Sequence, residues 1–283
     1  MPLNKACAGK RYPPITTEVS REAIEKYARA YNDDNPAFFD VKRPGGIVAP
    51  PLFGVVVTWP SLVQAIGDPE LQVDLLRLLH GEQEMEFLNP IRPGDRIISQ
   101  AKIASIQTKP TGETLTIELE ASDHNLEPKV RVVFSAFIRA GGSRKSGDNE
   151  QEAKAERGAA LVTVSQHIDT DQTFRYAEAS GDHNPIHVDE TVARMAGLRG
   201  IIVHGLCTMA FTSKVMIDKL CGGDPTRLKR LRVRFVRPVF PGQTITTKVW
   251  QEGEGNGRRL YAYETYNPEG RAVIRGGLAE VAA

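Results

Sequence analysis

Residues 176–189 read YAEASGDHNPIHVD and place Ser180, Gly181, Asp182, Asn184, Pro185 and His187 within one short stretch. A carboxylate and an imidazole that face one atom are what proton transfer needs. A lone Asp or Asn is an ordinary turn residue, and a lone His is commonly packed into a core. Here the polar groups are clustered, and a second signal follows at residues 201–207 (IIVHGLC), which brings His204 and Gly205. Gly205 opens a run in which Leu206, Met209, Ala210, Ser213, Ile217 and Leu220 recur at helical spacing. A helix starting at Gly205 would offer unpaired N–H groups and a dipole end that favour negative charge. Glycine there lets a substrate come close to the backbone. The set therefore amounts to an acid, a base and a donor for developing negative charge, the last worth roughly 3–4 kcal/mol when well aimed.

The elements that must hold these groups occur twice. Residues 27–40 (YARAYNDDNPAFFD) align with residues 176–189, so that Asp33 matches Asp182 and Asn35 matches Asn184. Residues 47–52 then fall against 201–206, and residues 87–97 (FLNPIRPGDRI) against 235–245 (FVRPVFPGQTI). An ordered repeat of this length implies two equivalent units. Each begins with a short helix, for which Ser20 and Asp171 are candidate caps. The turn loop and a longer helix follow, with Met209 and Met216 expected in the core. Alternating β-branched runs then predict strands over 97–106, 114–121 and 129–138, with counterparts at 244–250, 259–266 and 272–281. The plan is α+β. Residues 1–140 form the first unit and 159–283 the second. Residues 141–158 (GGSRKSGDNEQEAKAERG) read as a polar linker.

The first unit lacks the second unit's chemistry. Phe38 stands where His187 does, and Pro50-Pro51 where His204-Gly205 do. Proline has no N–H to donate. The surrounding set, with Phe38, Phe39, Leu52, Phe53, Val55, Val56, Val57 and Trp59, suits a tunnel wall or plain core packing.

The two motifs together resemble the MaoC-like family of R-specific enoyl-CoA hydratases and dehydratases. The shared pattern runs through Tyr176, Ala177, Ser180, Gly181, Asp182, Asn184, Pro185, Ile186, His187 and Asp189, then Ile202, His204, Gly205 and Leu206. The resemblance implies a double hotdog, with each curved sheet wrapping a helix. One unit would be catalytic and the other would accommodate the acyl chain. It implies reversible syn hydration of a trans-2-enoyl thioester to the R-3-hydroxyacyl thioester, carried by CoA or acyl carrier protein. Asp182 and His187 would be acid and base in an order the sequence leaves open. Asn184 would hold water or carboxylate, and Gly205 would stabilise the enolate-like charge. Ser180 and His204 are further candidates for substrate binding. The reading calls for no metal and no organic cofactor beyond the substrate's coenzyme A.

Length and composition narrow the rest. The chain has 283 residues, a net charge of +1 and 25% charged side chains, which gives no argument for nucleic acid or membrane binding. Cys7, Cys207 and Cys221 are too few for a disulfide framework or a zinc site. No apolar leader or span is apparent, so a cytoplasmic monomer or homodimer is expected. Residues 227–237 (RLKRLRVRFVR) predict a strand with Arg230, Arg232 and Arg234 on one face. Arg232 and Arg234 are candidates for meeting CoA phosphates or a carrier protein. The matching stretch of the first unit carries acids, so the row can instead pair between units. The opposing function class is a non-catalytic acyl-thioester-binding hotdog subunit. A thioesterase is disfavoured because hotdog thioesterases do not share the D-x-N-P-x-H loop.

Overall fold

Two apolar helices have too little polar surface to stand alone, and each is covered by a curved antiparallel sheet. The computed structural model describes residues 2–75, 77–140 and 157–283. The first unit holds β1 (Ile15–Glu18), α1 (Arg21–Ala30), α2 (Gly54–Ile66), β2 (Leu78–Phe87), β3 (Arg96–Lys109), β4 (Gly112–Asp123) and β5 (Pro128–Arg139). The second repeats the plan with β6 (Val162–His167), α3 (Gln172–Ser180), an added α4 (Glu190–Met195), α5 (Gly205–Leu220), β7 (Leu228–Phe235), β8 (Thr244–Gly255), β9 (Arg258–Tyr266) and β10 (Ala272–Ala282).

All ten strands form one sheet in the order β1-β3-β4-β5-β2-β7-β10-β9-β8-β6. The units join where β2 pairs antiparallel with β7. This is the expected α+β double hotdog, and the two halves read in the same spatial order from the joint outward. The helix predicted over 205–220 has those bounds, and Met209 and Met216 are fully buried on it. Tyr27 and Tyr176 occupy equivalent places in the repeat, and their hydroxyls hydrogen-bond at 3.0 Å in the core. That pair marks the approximate two-fold axis between units.

Several local expectations change. Ser20 caps α1 by accepting from the Ala23 N–H at 3.0 Å. Asp171 stands at the N-cap of α3 but accepts no capping bond, because its carboxylate faces Arg175 at 3.0 Å. The edge strands β1 and β6 and the six-residue α4 were not expected, being too short to carry a clear period. Of the expected linker, residues 141–156 lie outside the described residues. In the first unit Phe38, Leu52, Phe53, Val55 and Val57 are buried in the core, so most of the possible tunnel set is packing. No helix among the described residues is long and apolar enough to cross a membrane.

Candidate active site

The site begins where α3 ends. Gly181 takes a left-handed φ of +80° as the cap, which a side-chain-bearing residue adopts only at a cost. The Asp182 N–H then bonds the Ser180 hydroxyl at 3.2 Å, and that hydroxyl donates to the Tyr176 carbonyl at 2.7 Å. Asp182 Oδ1 accepts from the Asn184 N–H at 3.1 Å, and Asn184 Oδ1 accepts from the Ile186 N–H at 3.3 Å. A 3-10 turn over Pro185–His187 completes the loop and turns His187 inward. The chain thus spends its short polar side chains on shaping the loop, as Asx turns do.

Two histidines close the pocket. His187 Nδ1 lies 2.8 Å from the Ile202 carbonyl, so that nitrogen carries the proton and donates. His204 Nε2 donates likewise to the Asp182 carbonyl at 2.9 Å. The two rings stack with centroids 3.8 Å apart and 27° between planes, and Tyr176 lies 5.0 Å beyond His204. Ligand atoms of Asp182, His187 and His204 all fall within 4.8 Å of one another. Burial pushes the Asp182 carboxyl up, against the pull of His187 and the Asn184 N–H. Burial pushes His187 down, against the pull of Asp182. The two groups are thereby drawn toward a common pH, as an acid–base pair requires. His204 is driven well below the ordinary imidazole range by burial and then by His187. It is a neutral ring.

Gly205 begins α5 beside this pair, with its first-turn N–H groups available by helix geometry. A Cβ there would come 3.2 Å from the Phe235 ring, so only glycine fits without displacement. Phe235 in turn meets the His80 ring of β2 edge-on, at 5.0 Å between centroids. On the other side, a Cβ on Gly181 would meet the Trp59 indole of α2 at 3.4 Å. The first unit therefore touches both ends of the second unit's site.

Comparison with known proteins agrees with this geometry. Residues 150–272 match the MaoC-like domain, and residues 6–128 match the FAS1-like dehydratase domain region. A probable enoyl-CoA hydratase 2 of Dictyostelium discoideum is 30% identical over 97% of this chain and 95% of its own length. The chain belongs to the MaoC-like dehydratase family. The peroxisomal enoyl-CoA hydratase 2 of Arabidopsis thaliana is 31% identical over 72% of this chain and 69% of the relative. The crystal structure of a MaoC-like dehydratase from Phytophthora capsici superposes with TM-score 0.82 at 26% identity, covering 100% of this chain and 98% of that one.

Within the MaoC-like unit, the structure brings Asp182, His187 and His204 together, with Asn184 joined to Asp182 through its N–H and Gly205 following His204 in the chain. Ser180 and His204, expected to bind substrate, also bond the chain itself, through the Tyr176 and Asp182 carbonyls, and His204 keeps a buried Nδ1 with no hydrogen-bond partner among the described residues. Arg232 and Arg234 are not brought to the site. They lie on the sheet face opposite Leu231, Val233 and α5, and Arg232 pairs with Glu82 at 3.1 Å. Strand alternation puts them there. Trp59 and His80 were not singled out as site residues, since their contacts arise only when the units dock.

The first unit keeps the loop without its histidine. Asn35 Oδ1 accepts from the Ala37 N–H at 2.9 Å, reproducing the Asn184 turn, and Phe38 fills the histidine's place. Asp33 is buried and paired with Lys214 of α5 at 3.2 Å. Its carboxyl is raised by burial, with Lys214 opposing.

Proposed function

We propose that this protein reversibly hydrates trans-2-enoyl thioesters of CoA or acyl carrier protein, by syn addition, to R-3-hydroxyacyl thioesters. The observation that carries the reading is the Asp182–His187 pair, a half-buried carboxylate beside a buried imidazole next to the N-terminus of α5. Its relatives' names support the same reaction class.

The thioester oxygen would accept from the first-turn N–H groups at Gly205, where enolate-like charge builds during addition. The Asp182–His187 pair holds one proton between its two members. One member withdraws a proton from the water attacking C3 and the other delivers its proton to C2, so the pair's total is unchanged and one proton passes back between the two members before the next turnover. His187 is suited to either step, because its Nδ1–H bond to Ile202 fixes the tautomer and leaves Nε2 for the substrate side. Asn184, exposed at the loop tip, orients the water or the carboxylate.

Each of the stacked His187 and His204 rings spends one nitrogen on a backbone carbonyl, Nδ1 on Ile202 and Nε2 on Asp182. The reading routes no step through a metal, and the thioester itself activates C2 without an organic cofactor. The first unit, with its acid neutralised by Lys214, accommodates the acyl chain rather than reacting with it. One chain already holds both units, so a monomer or its homodimer suffices. A purely binding subunit would leave no reason for the matched Asp182–His187 pair.

The test is to follow loss of enoyl-thioester absorbance with crotonyl-CoA, together with Asp182→Asn and His187→Ala, and to couple the product to an R-specific dehydrogenase. Turnover by wild type alone, yielding R product, is expected. If CoA, carrier-protein, branched and dicarboxylic enoyl thioesters all stay unreacted, the binding-subunit reading replaces this one.

A further inference from the structure

The β2–β7 joint carries a charge pattern that the proposed chemistry does not use. On its inner face Met85 lies opposite Leu231, and Gln83 opposite Val233. Nothing charged stands there, so this face would accept a copy of either unit. The outer face is different. Glu82, Glu84 and Glu86 of β2 stand opposite Arg234, Arg232 and Arg230 of β7. Arg230 reaches Glu84 at 2.6 Å, and Arg232 reaches Glu82 at 3.1 Å and Glu84 at 4.0 Å.

Phe87 and Phe235 hold the same place in the two units, 148 residues apart. By that equivalence Glu82, Glu84 and Glu86 correspond to Arg230, Arg232 and Arg234, and the joint is centred on the Glu84–Arg232 pair. The geometry then fixes what a like pairing would look like. Two first units joined this way would set Glu84 against Glu84 and Glu82 against Glu86. Two second units would set Arg232 against Arg232 and Arg230 against Arg234. Every outer-face pair would be of like charge, and like charges directly opposite on a sheet are destabilising.

We propose that this row is a partner code. The β7 edge of the catalytic unit fits an acid-bearing strand such as β2 and rejects a second copy of itself. Neighbouring charges do not alter the sign. Glu280 of β10 pairs with Arg230 at 3.0 Å and with Arg258 at 2.7 Å. Arg131 of β5 lies 3.7 Å from Glu86 and 3.8 Å from Glu120, and Arg275 stands opposite Arg234 in the ladder. These groups belong to one unit each and accompany it in any pairing: Glu280 softens the row of arginines and Arg131 the row of acids, whereas Arg275 adds to the positive charge at Arg234. The code serves the site, because Trp59 and His80 come from the first unit, and a pair of second units would lack both. Repulsive elements of this kind are how interfaces exclude wrong partners.

The full chain can test it. E82R/E84R/E86R reproduces the Arg-on-Arg joint of two second units, and R230E/R232E/R234E the Glu-on-Glu joint of two first units. Each is expected to melt at least about 5 °C below wild type, and the six-fold charge swap to recover most of that loss. The central exchange, Glu84→Arg with Arg232→Glu, gives the same cycle at one pair should a triple variant fail to fold. If the one-sided reversals melt with wild type, or if the swap loses the sum of both, the joint is not charge-coded. Melting does not depend on turnover, so this result stands apart from the fate of the proposed reaction.

Discussion

His187 is prepared for two protonation states by what surrounds each nitrogen. The Ile202 carbonyl takes one, Asp182 lies near the other side of the pocket, and the neutral His204 ring stacks on its face. On the proposed mechanism, in which the pair shares one proton, kcat/KM should be bell-shaped in pH, with both limbs belonging to the pair. Asp182→Asn should lose the bell together with the activity. Gly205 separates two effects that coincide there. Gly205→Ala keeps the N–H and puts a Cβ against Phe235, whereas Gly205→Pro adds the same crowding and removes the N–H, at a helix position that tolerates proline. Steady-state kinetics should place the alanine variant about 10²-fold down in kcat and the proline variant a further 10²–10³-fold, roughly the effect of losing an oxyanion donor. His80 gives a pH prediction for stability. Burial lowers its pKa from the ordinary 6.5 to about 4. The unfolded chain therefore takes up a proton across that window which the folded chain refuses, and stability falls as pH drops from 6.5 toward 4. His187 and His204 act in the same direction, and the raised carboxyls of Asp33 and Asp182 oppose them. His80→Phe, which keeps a ring against Phe134 and Phe235, should flatten the slope by one proton, about 1.4 kcal/mol per pH unit, in urea unfolding between pH 6.5 and 4.5.

Helix α5 shows how far an element can be read from its sequence. Its apolar period and the glycine at its head were enough to place both ends, and the turn-forming residues were enough to place the loop that feeds it. What the sequence could not supply was the element's second partner. Lys214 is an isolated cation in the sequence, yet it lies on α5 facing the first unit, paired with Asp33 at 3.2 Å, Asp34 at 3.2 Å and Asp218 at 3.3 Å. The Asp33 carboxylate has nearly no exposure, and its Oδ2 has no hydrogen-bond partner among the described residues. Removing the cation strands that charge. Lys214→Met should cost about 3 kcal/mol in chemical unfolding, with kcat changed less than about threefold, since Gly205 sits at the far end of the helix. Adding Asp33→Asn should return much of the loss, because no buried charge is then left unpaired.

At the scale of the molecule, the fold was legible because the chain states it twice, and each copy of the turn motif checks the other. The candidate pair stood out for the same reason, as Phe38 and Pro51 occupy the matching places of the other copy. The placing of Arg232 and Arg234 away from the site was not legible, because an arginine's type does not say whether a neighbouring strand's acid will claim it. Nor could any spacing reveal that the site is shared, since Trp59 and Gly181 are far apart in sequence and meet only when α2 docks beside α3. That contact makes the last prediction. The indole lies 3.4 Å from where a Cβ on Gly181 would stand, one residue before Asp182, and so limits how far the loop can shift. Trp59→Ala removes that limit without touching Asp182 or His187. It should lower kcat/KM on crotonyl-CoA by roughly 10–10²-fold through misplacement of the pair, while Trp59→Phe, which keeps a ring against the glycine, should retain most of the activity. Unchanged kinetics in Trp59→Ala would mean that the second unit positions its loop alone, and that the first unit serves the acyl chain and the joint only.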